Sequence, residues 1–184
     1  MLQGWIQAER AQLWLALLVA GILAVSATAG HAAEPLPVPR GEVLLTVGGA
    51  IGRGNAQDAA GRSEARFDRA MLEQIGLIEV NTATPWHSGV MHFEGVPLRA
   101  VLATVEARGS NLLATAHNEY SATLPVSDTA RHDVILAMKL NGEAMTLRDK
   151  GPLFIVYPFD SDKALQTDMT YIRSVWQLRR IDVH

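Results

Sequence analysis

The 184-residue sequence contains no cysteine. That absence excludes thiol nucleophiles, disulfide exchange and metal sites built on thiolates. Charge is also scarce: 19% of residues are charged, the formal net charge is −3, and no long basic run occurs. Nucleic-acid binding is therefore not expected, and the short Arg179-Arg180 pair reads as strand surface. Several catalytic signatures are missing as well. The glycines between Ile51 and Arg62 lack phosphate-loop spacing and a Gly-Lys-Ser/Thr ending. No Gly-x-Ser-x-Gly elbow is present, and Ser121 follows Tyr120 in a strand candidate, so serine-hydrolase chemistry is not expected. His87, His92, His117, His132 and His184 form no His-x-His or His-x-x-x-His pair, which leaves no metal motif among them.

What is present begins with hydrophobic residues, at 48% of the chain, enough for the core of one ordinary domain. Arg10 precedes an apolar run from Leu13 to Val25, followed by the small-residue stretch Ser26-Ala27-Thr28-Ala29-Gly30. This is the pattern of a cleaved export signal, and its thirteen apolar residues fall short of the roughly 20 that a spanning helix needs. The expectation is a signal peptide at 1–33 and a single periplasmic domain at 34–184, with no membrane attachment after cleavage.

Local patterns then place the elements. Val43 to Val47 reads as a first strand, and Ile51 to Arg62 as a loop. Asp68 is set as the N-cap of a helix, with Phe67 stapling against Leu72 and Gly76 closing it. Leu77 to Ala83 reads as a strand stopped by Thr84-Pro85. Pro97 opens a second helix with Leu98, Val101, Leu102 and Val105 at core-facing spacing and Gly109 as its stop. Leu112 to Ala116 and Tyr120 to Pro125 are strand candidates. Val134 to Leu140 and Glu143 to Leu147 flank Asn141-Gly142, the strongest short hairpin signal. Leu153 to Tyr157 is a further apolar run. In Ser174 to Val183 the apolar face slips by one residue, which predicts a bulge near Arg179-Arg180. Two or three helices among about eight or nine strands, without regular alternation, make an α+β class with mixed sheets.

Three blocks carry a resemblance. They are Phe93-Glu94-Gly95-Val96-Pro97-Leu98-Arg99; Asn118-Glu119-Tyr120-Ser121 with Pro125 and Asp128; and Arg148-Asp149-Lys150-Gly151-Pro152-Leu153-Phe154-Ile155-Val156-Tyr157-Pro158 followed by Val175 to Ile181. Together they resemble the molybdopterin-binding domain of the sulfite oxidase family over roughly Val43 to Val183. A pterin is a flat bicycle with a polar edge, so a fitting site offers a ring or apolar face, amides and often a carboxylate. Trp86, Asn118, Glu119, Tyr120 and Ser121 supply those types, with Tyr157 as a further ring. Arg148, Lys150 and Arg173 are candidates for a phosphate or hydroxylated tail. A structural reading stands beside each: Trp176 with Leu178 as core, Tyr120 as core or site, Arg148-Asp149-Lys150 as a solvated turn. Trp86 is the leading candidate, because Thr84-Pro85-Trp86-His87-Ser88-Gly89 is a turn-rich loop where a large ring has no evident structural duty.

The resemblance also implies a departure. The family's enzymes carry a metal-binding Cys on the segment after the first helix, where this chain has Asn81 to Trp86; Thr82 or Thr84 would occupy that position. The enzymes' Arg-rich surroundings of the Cys are missing too. Molybdenum is therefore not expected, and a pterin, either a reduced pterin or a molybdopterin-like one, is the expected ligand. A short exported subgroup of the family without the Cys implies a non-enzymatic role, in which pterin binding acts on the periplasmic region of a transmembrane diguanylate cyclase/phosphodiesterase. The alternatives are a molybdopterin oxidoreductase or subunit lacking the usual Cys, and an interaction module whose pocket is vestigial.

Overall fold

The structure, a computed structural model, describes residues 36–184. The expected export signal lies outside the described residues. No helix among them is long and apolar enough to cross a membrane.

In chain order the strands are β1 (Val43–Gly49), β2 (Ala56–Gln57), β3 (Ser63–Asp68), β4 (Ile78–Ala83), β5 (Val90–Pro97), β6 (Asn111–Ala116), β7 (Ser121–Pro125), β8 (Ile135–Leu140), β9 (Glu143–Ala144), β10 (Phe154–Val156) and β11 (Leu178–Val183). The helices are α1 (Arg69–Ile75), α2 (Leu98–Thr104), α3 (Val126–Arg131) and α4 (Asp168–Arg173). Six strands form a sheet in the order β2-β3-β1-β11-β6-β7, mixed because β1 and β11 run parallel. The second sheet is antiparallel, β10-β8-β5-β4, with β9 added at β8. The class is α+β, with four short helices among the described residues. The main core includes Leu45, Val47, Phe67, Leu98, Val101, Leu136, Ile155 and Ile181, all buried. A smaller cluster contains Val80, Phe93, Ile135, Phe154 and Val156.

Local chemistry explains α1. The Asp68 Oδ1 accepts from the Met71 N–H at 2.9 Å, so one of the four N–H groups a helix leaves open at its start is satisfied. Oδ2 accepts from Arg40 N at 2.7 Å and Gly41 N at 2.9 Å, which ties the incoming chain to the helix. These N–H donors, Met71 foremost, hold the carboxyl below its usual range. Gly76 ends the helix at φ 111°, in the region that glycine alone enters freely.

Three expectations are corrected. α2 stops at Thr104 rather than at Gly109, because Glu106 itself takes a left-handed conformation (φ 51°) and Ala107 N–H turns back to Leu102 O at 3.0 Å. Gly109 serves close packing instead: a Cβ there would stand 2.3 Å from the His184 carbonyl. The segment read as a loop contains β2, paired with β3, whose buried Glu64 is tolerated through ion pairing with Arg180 at 2.6 Å. Asn141 and Gly142 both have positive φ, as the expected hairpin requires, but the second arm pairs only through Ala144. Thr146 Oγ1 then donates to Asp149 Oδ2 at 2.7 Å and turns the chain away before Leu147. The register shift in β11 falls between Leu178 and Arg180, where the bulge was expected.

Candidate functional site

The β4–β5 connection is closed by two threonines. Thr82 is fully buried; its hydroxyl donates to Ala83 O at 3.2 Å and accepts from Asp160 N at 3.0 Å. Asp160 Oδ2 in turn accepts from Ala83 N at 2.6 Å, so the loop after β10 clamps the end of β4. Thr84 Oγ1 accepts from Trp86 N at 3.3 Å and shares a hydrogen bond with His87 Nδ1 at 2.7 Å. The turn therefore fixes the backbone of Trp86 from below. Burial, and then the positive charge of Lys150, push the His87 imidazole below its usual value, so it is neutral at pH 7.

Trp86 is half-buried and meets four other rings edge to face: Trp176 at 5.4 Å, Phe154 at 5.6 Å, Tyr171 at 6.0 Å and Phe159 at 6.3 Å between centroids. Such aromatic pairs contribute about 0.5–1.5 kcal/mol each beyond the area they bury. Contrary to the sequence reading, this ring has a structural duty: it packs against both hydrophobic clusters. Its remaining surface opens into a pocket of 360 Å³, with Tyr171, Trp176 and Tyr120 as the other aromatic lining. Asn118, Ile172 and Ser174 complete it. That volume lies near the lower end of the roughly 300–1,000 Å³ usual for small-molecule sites.

α4 and the β6–β7 turn supply opposite parts of the rim. Thr167 caps α4, its Oγ1 accepting from Thr170 N at 3.3 Å, and the helix presents Tyr171 and Ile172 to the pocket. Tyr120 reaches across and donates its hydroxyl hydrogen to Ile172 O at 3.0 Å. The turn that carries Tyr120 is built by Glu119 in a left-handed conformation (φ 65°) and by Asn118 Oδ1 accepting from Tyr120 N at 3.1 Å. Arg179 holds this turn, donating to both Glu119 carboxylate oxygens at 2.6 and 2.7 Å and to Ala116 O at 3.1 Å.

Of the sequence candidates, then, Trp86, Asn118 and Tyr120 line one pocket. Glu119 lies beside them but is paired with Arg179, and Ser121 begins β7 in an exposed position. Lys150 sits with its Nζ 5.4 Å from the Trp176 ring centroid, on a residue of the pocket wall. Arg148 is exposed in the turn after β9. Tyr157 is fully buried: its hydroxyl donates to Asp128 Oδ2 at 3.0 Å, and burial drives its ionisation out of the accessible range. Arg173 donates from Nη1 to the same carboxylate oxygen at 3.1 Å, while its Nε is buried without a partner among the described residues. Both are directed to Asp128 rather than to the pocket. Tyr171, Ile172 and Ser174 were not singled out from sequence, and Trp176, read as core, is half-buried pocket wall. The Thr167-x-x-Thr170 spacing was the available signal for α4, but a six-residue helix leaves too short a pattern to read.

A second, larger cavity of 930 Å³ adjoins Asn118 on its other side. Its lining includes Arg40, Glu42, Arg69, Glu73, His117 and Leu147.

Comparison with known proteins agrees with this architecture. The model of the oxidoreductase molybdopterin binding domain matches residues 63–160, more than half of the chain, and the protein belongs to that family. Among solved structures, the sulfane dehydrogenase SoxCD from Paracoccus pantotrophus is similar, with a TM-score of 0.57 at 18% identity. The match covers 81% of this chain and 40% of the SoxCD chain, so it spans well under half the length of that relative. No curated protein matches. A family of this kind implies a pterin-type cofactor, and the aromatic pocket fits the ring of such a group. A thiolate-held metal does not fit: the hydroxyls of Thr82 and Thr84 are engaged within their own turn, and neutral hydroxyls are poor substitutes for a thiolate on a soft metal.

Proposed function

We propose that this protein is an exported, metal-free pterin-binding protein whose ring-binding site is the Trp86 pocket. The observation that carries the reading is a neutral aromatic pocket standing directly on the Thr82–Thr84 turn, in a chain of the molybdopterin-binding family. Trp86, Tyr171 and Trp176 offer ring surfaces to a flat bicycle, and Asn118 offers an amide to its polar edge. The pterin acts here as a signal rather than as a redox centre. Its occupancy changes the rim formed by Tyr120 and α4, and that rim meets the periplasmic region of a transmembrane signalling protein such as a diguanylate cyclase/phosphodiesterase. The likeness to short exported family members without the Cys supports this role.

The test is to purify the protein from its native exported compartment, release the bound material, and record its mass and ultraviolet spectrum together with the metal content. A pterin without stoichiometric metal is the expected result. Molybdenum with a pyranopterin would overturn the reading in favour of an oxidoreductase.

A further inference from the structure

Taking the Trp86 pocket as a pterin site, the side chains around it say what kind of tail the pterin carries. Among the described residues no charged side chain lines the pocket: its ring walls are Trp86, Tyr171 and Trp176, and its polar side chains include an amide, a serine and the two phenols of Tyr120 and Tyr171. Three cations stand near the pocket without lining it, and two of them are ion-paired. Arg173, between the pocket residues Ile172 and Ser174, gives Nη1 to Asp128 at 3.1 Å and does not line the pocket. Arg179 is bidentate on Glu119 at 2.6 and 2.7 Å. Lys150 lies over the Trp176 ring and is outside the lining.

The rim repeats the pattern. A tail leaving the pocket passes Tyr120 and Ile172, which are 43% and 52% exposed, and Met169 one turn earlier on α4 is also exposed. The Glu119 carboxylate beside Tyr120 already holds the Arg179 guanidinium, so neither partner is free to meet a tail. α4 has only six residues and brings its C-terminal end to the pocket, where helix carbonyls rather than N–H groups face outward, so the backbone offers an anion nothing. A phosphate would lose hydration there and gain neither a cation nor a set of N–H donors.

We propose that this site selects a pterin with an uncharged, hydroxylated tail and rejects the phosphate-bearing form that molybdopterin represents. Selection arises from the absence of a phosphate partner in the lining and from the apolar rim. The experiment compares dihydroneopterin with dihydroneopterin monophosphate, two probes with the same ring and carbon tail, by titration calorimetry on the wild-type protein and on Ile172→Lys.

The wild type is expected to bind the uncharged probe about tenfold or more tightly than the monophosphate, the difference that one unmet charge-assisted contact makes. Ile172→Lys is expected to narrow that ratio by several fold, because it puts an ammonium on the path of the tail. Equal affinities in the wild type would overturn the selectivity and leave the pterin site standing. A ratio that Ile172→Lys does not move would overturn the assignment of the rim as the discriminating element. Failure of both probes to bind the folded, ligand-stripped protein would sink the pterin reading and this inference with it.

Discussion

The groove beside α1 and the pocket under Tyr120 share Asn118 and little else. The groove is more than twice as large, 930 against 360 Å³, yet its walls carry charges of both signs, Arg40 and Arg69 against Glu42 and Glu73. Arg69 and Glu73 are side by side on α1 at 4.0 Å and well exposed, an arrangement that contributes a few tenths of a kcal/mol and specifies no ligand. The pocket is the opposite case. Its rings are held at fixed angles by contacts with Phe154 and Phe159, which are themselves buried, so its shape exists before any ligand arrives. Preformed apolar surface with a few placed polar groups is what small-molecule recognition needs, and volume alone is a poor guide to it.

The strongest way to break this comparison is Trp86→Ala. Losing a ring central to the pocket is expected to weaken pterin binding by roughly 2–4 kcal/mol, as for other anchor residues. The four edge-to-face contacts also disappear, so unfolding free energy should fall by about 2–3 kcal/mol while the domain remains folded. Calorimetric titration and urea denaturation measure the two separately. A folded variant with wild-type affinity would remove the pocket from the functional argument.

Two tyrosines separate site from scaffold. Tyr157→Phe deletes the buried hydroxyl that Asp128 accepts from, and should cost about 1–2 kcal/mol of stability. Asp128 keeps Arg173, and ligand affinity should stay within about twofold because Tyr157 does not line the pocket. Tyr120→Phe removes a bond to Ile172 O at the exposed rim, with less than about 1 kcal/mol of stability at stake. Ligand affinity should nevertheless drop severalfold as the rim loosens. The reverse pattern, with Tyr157 governing affinity, would move the site to Asp128 and Arg173.

These pairs also show how far the sequence could be read. α1 was legible because its signals are local: Asp68 and Gly76 act on groups within a few residues of themselves. The hairpin at Asn141-Gly142 and the slip in β11 were legible for the same reason, being set by backbone conformation and by side-chain alternation. The pocket was only half legible. Trp86, Asn118 and Tyr120 stood out as a ring or amide in polar turns, but which other rings faced them depends on packing between segments about 50 to 90 residues apart. Tyr157 and Arg173 have suitable chemistry but lie outside the lining of this pocket. Nothing nearby in sequence announces that Asp128, on α3, captures both.

Acid should affect the two sides in different windows. On the pocket side, His87 is held below its usual value, so the unfolded chain takes up a proton before the folded one does. Its contribution is present above the ordinary histidine value and is lost as pH falls through it. The Trp86 turn, and pterin affinity with it, should therefore weaken from near pH 6 downward. On the groove side, Asp68 is held below its usual value by the Met71, Gly41 and Arg40 N–H groups. Its contribution is present above the ordinary carboxylate value and is lost only as pH falls through the lower, folded one. His87→Gln should flatten the first decline. Asp68→Asn should lower stability at neutral pH, with the gap to the wild type closing in acid. Denaturation curves across pH distinguish these outcomes, and a His87→Gln profile that overlays the wild type would show that this histidine is not the group being titrated.

The smallest expected effect sharpens the comparison most. Arg69→Ala removes a groove cation whose partner is a solvated carboxylate at 4.0 Å, one helical turn away. Exposed pairs of this kind contribute about 0.3–0.5 kcal/mol, so stability should barely change. Affinity for the uncharged pterin should not change at all, because no part of the ligand enters the groove. The monophosphate gives the stricter reading. If its tail crossed Asn118 into the groove, Arg69 would be a cation on its path, and losing it would weaken that probe alone. An unchanged ratio of the two affinities keeps the groove out of recognition; a selective loss of phosphate binding would make the two cavities one site, with Asn118 between ring and tail.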